Sequence, residues 1–160
     1  MQKLISCLIL LILASCQKDD SPQNPVDQLP PITHSGEDTF GFLLNGEPIS
    51  VTNSLGMTAI YQGGGIQFGS RGVYIVALDP FTVNVPYAFL DIGQGTARAE
   101  YTQNQACYYD EADTFEGSVT FLHINTVNYT ISGTFEFSTV NDQCDTVRIT
   151  NGRFDMRYTP

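Results

Sequence analysis

The chain contains no tryptophan, only two histidines, and seven lysines and arginines against seventeen aspartates and glutamates. Each scarcity excludes something. A formal net charge of −10 repels nucleic acid and anionic lipid head groups, so no nucleic-acid partner is expected. His34 falls in a proline-rich stretch, which leaves only His123 for base chemistry, and no serine sits in a Gly-x-Ser-x-Gly elbow. A Ser or Cys hydrolase is therefore not expected. His123 lies between Leu122 and Ile124 and reads as a structural strand residue. Zinc wants four ligands, and neither histidine stands at finger spacing from a cysteine pair. Gly63-Gly64-Gly65 lacks the following Lys-Ser/Thr of a phosphate loop and reads as a turn. The longest apolar run, Leu4 to Ala14, is shorter than the roughly 20 residues that spanning a bilayer takes.

That apolar run follows Lys3 and leads into Leu13-Ala14-Ser15-Cys16, the residue types of a bacterial lipobox. The segment resembles a lipoprotein signal cut before Cys16, which would leave a diacylglyceryl cysteine as the first mature residue; the alternative is an ordinary secretory signal with an incidental cysteine. Gln17-Lys18-Asp19-Asp20 then resembles the signal that sends Bacteroidota lipoproteins to the outer face of the outer membrane, the alternative being the acidic start of a linker. The expected address is the cell surface, with acyl chains on Cys16 as the membrane anchor at about 0.8 kcal/mol per buried methylene. No other cofactor is implied. Ser21 to Gly36 holds Pro22, Pro25, Pro30 and Pro31 among polar residues and reads as a semi-rigid spacer with almost nothing to bury, order beginning near Asp38. The expected organisation is a signal peptide over 1–15, a lipidated cysteine and linker over 16–37, and one β domain over 38–160.

Within that domain period-two alternation and turn residues dominate, and no window of a dozen residues shows helical periodicity. Hydrophobic content of 42% with 10 Phe and 8 Tyr suffices for a packed core. Thr39 to Leu44, Asn45-Gly46 and Glu47 to Val51 predict a hairpin, and Met57 to Gln62 with Ile66 to Ser70 predict a second. Val73 to Leu78 is a continuous apolar strand expected to be buried on both faces and ended by Asp79-Pro80. Tyr87 to Ile92 and Ala97 to Thr102 are weaker strands. Ser118 to Ile124 precedes a strand in which Tyr129, Ile131, Phe135 and Phe137 share one face, and Thr146 to Thr150 with Arg153 to Tyr158 supply the last pairing. Gly133 and Gly152 mark bulges or close backbone approaches. The fold expected is all-β, a single antiparallel meander forming a sandwich or a barrel.

Export leaves Cys107 and Cys144 as the expected disulfide, worth about 4 kcal/mol for a loop of this length on the chain-entropy model; two buried reduced thiols are the alternative. Asp110, Glu111, Asp113 and Glu116 crowd oxygen ligands beside Cys107, but without Asp-x-Asp-x-Asp spacing a solvated acidic loop is preferred to a calcium site, and no metal is assigned. Nothing in their spacing selects the two carboxylates of a glycosidase. Tyr101, Tyr108 and Tyr109 are candidates for an aromatic platform facing a glycan or peptide, against core packing and turn padding, and the missing tryptophan weakens the sugar case. Asp145-Thr146-Val147 resembles a short O-glycosylation acceptor, with a plain strand start as the alternative.

Three segments resemble one family: Pro30-Pro31, Thr33, Gly36 and Thr39-Phe40-Gly41 leading into Asn45-Gly46; Ser132-Gly133-Thr134-Phe135-Glu136-Phe137; and Ile149-Thr150-Asn151-Gly152-Arg153-Phe154-Asp155 with Tyr158. They are similar to small Bacteroidota lipoproteins of unassigned function. A cysteine often follows the early Thr-Phe-Gly in that pattern, where this chain has Phe42. The resemblance implies an exported β domain and no activity. The functional expectation is a lipid-anchored envelope protein acting as a non-enzymatic binding or interaction module, with a glycan, a peptide or an envelope protein as partner; a carboxylate hydrolase and a structural envelope component are the alternatives.

Overall fold

The computed structural model describes residues 24–89 and 97–160. The signal peptide, Cys16, the export residues Gln17 to Asp20 and the Leu90 to Ile92 end of one expected strand lie outside the described residues. No helix among the described residues is long and apolar enough to cross a membrane.

Among the described residues eleven strands follow in chain order: β1 Thr39–Leu44, β2 Glu47–Val51, β3 Met57–Gln62, β4 Gly65–Ser70, β5 Val73–Leu78, β6 Pro86–Ala88, β7 Ala97–Thr102, β8 Tyr108–Tyr109, β9 Thr114–Asn125, β10 Thr130–Asn141 and β11 Cys144–Arg157. They form two antiparallel sheets packed face to face, an all-β sandwich. The first sheet has the order β2-β1-β11-β10-β9-β6, and the second β3-β4-β5-β7-β8. The strands expected as one meander are thus divided between two sheets, with most neighbours consecutive in the chain. The chain changes sheet between β2 and β3 and again between β8 and β9, β6 leaves the second sheet for the edge of the first, and β1 pairs with the C-terminal β11.

Local chemistry accounts for the hairpins. Asn45 and Gly46 both take positive φ, 51° and 91°, the two-residue turn whose twist matches its strands. The Asn45 side chain also accepts the backbone N–H of Arg148 at 2.8 Å, which fixes this turn to β11. Between the sheets lies an aromatic core: Phe40 and Phe135 stand 5.1 Å apart, Phe68 and Phe154 4.5 Å, and Phe121 meets Phe154 edge-on at 5.8 Å. Each such ring contributes about 2–3 kcal/mol by burial.

Both interior glycines behave as expected. A Cβ on Gly133 would stand 2.2 Å from the Thr120 carbonyl oxygen, and one on Gly152 2.5 Å from that of Phe135. The β9–β10 register shifts beside Gly133, and the β10–β11 register shifts beside Gly152.

Three expectations need correction. β5 alternates between fully buried Val73, Ile75 and Ala77 and half-buried Tyr74, Val76 and Leu78, because its second face is the outer face of a sandwich rather than a second core. Tyr129 does not share the core face with Ile131: it takes a positive φ of 53° to close the β9–β10 turn, which swings its ring outward. Residues 24–38 are not a free spacer. They lie along the outer face of the first sheet as a strap, with Leu29 and Pro30 buried and Pro30 seated over Gly41.

The strap is held chiefly by Asp155, a β11 residue that faces outward yet is only 1% exposed. Its carboxylate accepts the Thr33 hydroxyl at 2.6 Å and the backbone N–H groups of Ser35 at 3.0 Å and Gly36 at 2.7 Å. Further contacts run from Arg153 to the Pro30 carbonyl at 3.1 Å and from the Ser50 hydroxyl to the Gln28 carbonyl at 3.0 Å. Pro25–Gln28 forms one short 3-10 turn whose start is capped by the Asn24 side chain accepting the Val26 N–H, and beyond it the unpaired backbone donors find the sheet's side chains instead of a strand ladder.

Candidate functional site: an aromatic cleft at one end of the sandwich

The long strands β9, β10 and β11 give the molecule two distinct ends. At one end, β9 finishes at Asn125, β10 begins at Thr130 and β11 runs out to Arg157. There a cleft of about 400 Å³ opens between the sheets, walled by Tyr61, Phe81, Tyr129 and Tyr158, floored by Ile66, Ile124 and Ile131, and edged by Asp79.

Four separate parts of the chain build it. Tyr61 sits near the end of the edge strand β3, and Asp79 follows β5, where Asp79-Pro80 ends the strand as expected through a cis peptide bond. Phe81 stacks on Phe121 at 4.9 Å, which anchors the loop after β5 to β9. The Asn125 side chain accepts the backbone N–H groups of Val127 and Asn128, both at 2.9 Å, and so shapes the turn that presents Tyr129. The C-terminal segment then ties both sheets together. Tyr158 N–H donates to the Tyr129 carbonyl at 2.8 Å, Tyr61 N–H to the Thr159 carbonyl at 2.7 Å, and Thr159 N–H to the Ala59 carbonyl at 3.0 Å.

The rings do not lie flat against one another. Tyr61 and Tyr158 have centroids 6.4 Å apart with planes tilted by 50°, and Tyr129 meets Tyr158 at 5.7 Å and 75°. The Tyr61 hydroxyl donates to the Asp79 carboxylate. That hydrogen bond, with burial and the carboxylate's charge, raises the Tyr61 phenol above its ordinary pKa. Burial, followed by the proximity of Tyr129, raises Tyr158 likewise. Both hydroxyls stay protonated and neutral across the physiological range.

The other end carries the residues singled out from the sequence, and its concavity of about 400 Å³ between Tyr108, Asp113 and the β10–β11 turn is lined mainly by polar groups. Cys107 and Cys144 are joined in a disulfide that links the approach to β8 with the start of β11 across 37 residues. Tyr101 and Tyr109 stack on each other at 6.1 Å inside the core, 4% and 0% exposed. The expected platform is therefore not formed, because β7 and β8 turn these two rings inward. Tyr108 is 51% exposed, and its hydroxyl donates to Glu100 at 2.7 Å. That bond, with burial and neighbouring carboxylates, pushes its phenol up to about 12.

The four carboxylates there do not converge. Asp110 accepts backbone N–H groups of Ala112 and Asp113, at 2.9 and 3.2 Å, while Asp113 accepts that of Asp110 at 3.1 Å, so both shape the turn. Glu111 pairs with Arg98 at 2.8 Å, and Glu116 with Arg148 at 3.5 Å. Among the described residues no three His, Cys, Asp or Glu side chains gather as a metal-binding group. Thr146 is exposed on β11.

The two histidines meet, which the sequence did not suggest. His34 on the strap and His123 on β9 have ring centroids 6.1 Å apart, and His34 Nδ1 shares a hydrogen bond of 2.5 Å with the Ser132 hydroxyl. This is not a nucleophile and base. Ser132 is fully buried beneath the strap, and the pair acts as a second fastening beside Asp155.

Asp79, Tyr129 and Tyr158 read in the sequence only as strand or turn residues, and nothing joined them to Tyr61 and Phe81 as a site, because the five are scattered along the chain and share no motif. The only local signal is position: Tyr61 precedes Gln62-Gly63, Tyr129 follows Asn128, and Tyr158 precedes Thr159-Pro160, so each sits where a strand meets a turn or an end.

No curated protein and no solved structure matches the chain. A family model does, over residues 70–156, a stretch running from the end of β4 through nearly all of β11 and including Asp79, Phe81 and Tyr129. With more than half of its length matched, the chain belongs to the family described as a domain of unknown function, DUF6252.

Proposed function

We propose that this protein is a lipoprotein held in the outer membrane by acyl chains on Cys16, displayed on the cell surface through Gln17 to Asp20, and that its sandwich is a non-enzymatic binding module whose ligand site is the tyrosine cleft. The cleft carries this reading. Its volume, about 400 Å³, falls in the range of small-molecule sites, and its walls are apolar with a few polar groups at the edge. A concavity walled by rings from distant parts of one chain is unlike the equally large hollow at the acidic end, which is lined mainly by polar side chains and whose neighbouring carboxylates serve turns and arginines.

The address is tested by feeding cells a clickable palmitate. Labelling of the wild-type chain, loss of label and of membrane retention in Cys16→Ser, and removal of the domain by protease on intact cells are expected. Membrane retention of Cys16→Ser contradicts acylation. The site is tested by thermal-shift screening of the full chain against oligosaccharides, peptides and small cations, with Tyr129→Asn as control. Asparagine tolerates the positive φ at that position, so the substitution removes the ring while keeping the turn. Ligands that shift both proteins equally contradict the cleft.

A further inference from the structure

We propose that the tyrosine cleft takes a compact organic cation, a small alkylated ammonium group, as its ligand. The inference rests on the binding-site reading above and adds the chemistry of the occupant.

Ring geometry comes first. A sugar stacks by laying one face against a flat aromatic surface, which requires an accessible ring plane or several coplanar ones. Here Tyr61, Tyr158 and Tyr129 stand successively tilted by 50° and 75° around one cavity, with Phe81 on another wall. Tilted walls make a box, suited to a rounded group touched from several sides. Each ring face carries the negative end of its quadrupole, so a box of rings attracts positive charge, most strongly when that charge is poorly hydrated.

Charge complementarity points the same way. Asp79 is the one charged side chain among the described residues lining the cleft, and no Lys, Arg or His lines it. A carboxylate at the rim of an apolar box repels anions and gains nothing from a neutral hydrocarbon. It favours a ligand with a positive centre and an apolar skin. The Tyr61 hydroxyl donates a hydrogen bond to Asp79, which holds the carboxylate at the edge of the cavity with acceptor capacity to spare. The excess of acidic side chains over basic ones adds a long-range attraction that salt weakens.

Isothermal titration of the full chain in a non-ionic detergent is the test, using choline, its uncharged isostere 3,3-dimethyl-1-butanol, and methyl glucoside. Choline is expected to saturate one site, with the alcohol about tenfold weaker or silent. Asp79→Asn, which keeps an acceptor for Tyr61, and Tyr129→Asn are each expected to weaken choline about three- to tenfold while leaving the melting temperature within a few degrees. Equal binding of the alcohol, or preferential binding of methyl glucoside, overturns the cation inference and leaves the binding site standing. Silence of all three probes toward a folded chain overturns the cation inference, and a silent thermal-shift panel then removes the binding site too. Choline binding unchanged in both variants places the cation elsewhere and also overturns it.

Discussion

The two ends of the β9–β10–β11 unit are built from opposite materials. One is fastened by a disulfide, by the Asp110–Asp113 turn and by Arg98 and Arg148 pairing with different glutamates, and its aromatic rings Tyr101 and Tyr109 face inward. The other has no covalent fastening among its described residues. It is held by three backbone hydrogen bonds of the C-terminal segment and leaves its tyrosine rings lining an open cleft. Sequence density misleads here. The acidic, tyrosine-rich stretch from Tyr101 to Glu116 looks like a site because its polar residues are crowded together, yet crowding lets them satisfy one another. The cleft draws on residues far apart in sequence, whose side chains find few partners among their immediate neighbours.

The strongest way to break the comparison is to open the fastened end. Cys107→Ser with Cys144→Ser is expected to lower the unfolding free energy by about 4 kcal/mol in urea titration, from the loop released in the unfolded chain. Amide hydrogen exchange should rise around β8 and the start of β11 and stay unchanged at β3. Equal loss of protection at both ends would mean that they are not independent.

Next in size is the strap. Asp155→Ala strands two backbone N–H groups and one hydroxyl beneath it and is expected to cost about 3 kcal/mol. It should also expose residues 24–38 to limited proteolysis. Resistance equal to wild type would show that Leu29 and Pro30 hold the strap without the carboxylate.

A smaller, pH-dependent effect sits where strap and sheet join, at Asp38 and Arg157. Burial alone would raise the Asp38 carboxyl, but hydrogen bonds from the Arg157 side chain and backbone, with the guanidinium's charge, outweigh it and hold it below its ordinary 3.8. A lowered folded value gives stabilisation that is complete above 3.8 and lost as pH falls through the folded titration. Asp38→Asn, compatible with the positive φ there, should therefore melt lower than wild type at neutral pH, with the gap closing in acid. A gap independent of pH would assign the effect to packing.

The smallest change tests the quality of the fastened end itself. Thr139 is fully buried on β10, and its hydroxyl has no hydrogen-bond partner among the described residues. Thr139→Val should stabilise by up to about 1 kcal/mol in the same urea titration, since it removes an unsatisfied group at nearly constant volume. Destabilisation would mean that the hydroxyl has a partner in solution.

What was legible in the sequence was what is encoded within a few positions. Asn45-Gly46 and Gly63-Gly64 announced their hairpins, alternation located β1, β2, β3 and β7 with their observed bounds, and Gly133 and Gly152 marked real close approaches. The Cys107–Cys144 pair followed from elimination. The strap was illegible because its partners are remote: Thr33 meets Asp155 across 122 positions, and His34 meets Ser132 across 98. Proline content reveals an extended backbone but not the surface that receives it. Tyr129 was misplaced because one left-handed residue shifts the phase of an otherwise regular alternation. The cleft combines both difficulties, joining distant segments through rings at strand ends, where periodicity has already stopped.

Backbone amide chemical shifts of the full chain, followed by NMR as choline is added, test the central contrast most directly. The expected changes cluster at Tyr61, Asp79, Phe81, Thr126 to Tyr129 and Tyr158 to Thr159, with Tyr101 to Glu116 silent. Changes centred on Tyr108 to Glu116 would contradict the assignment of the open end as the site.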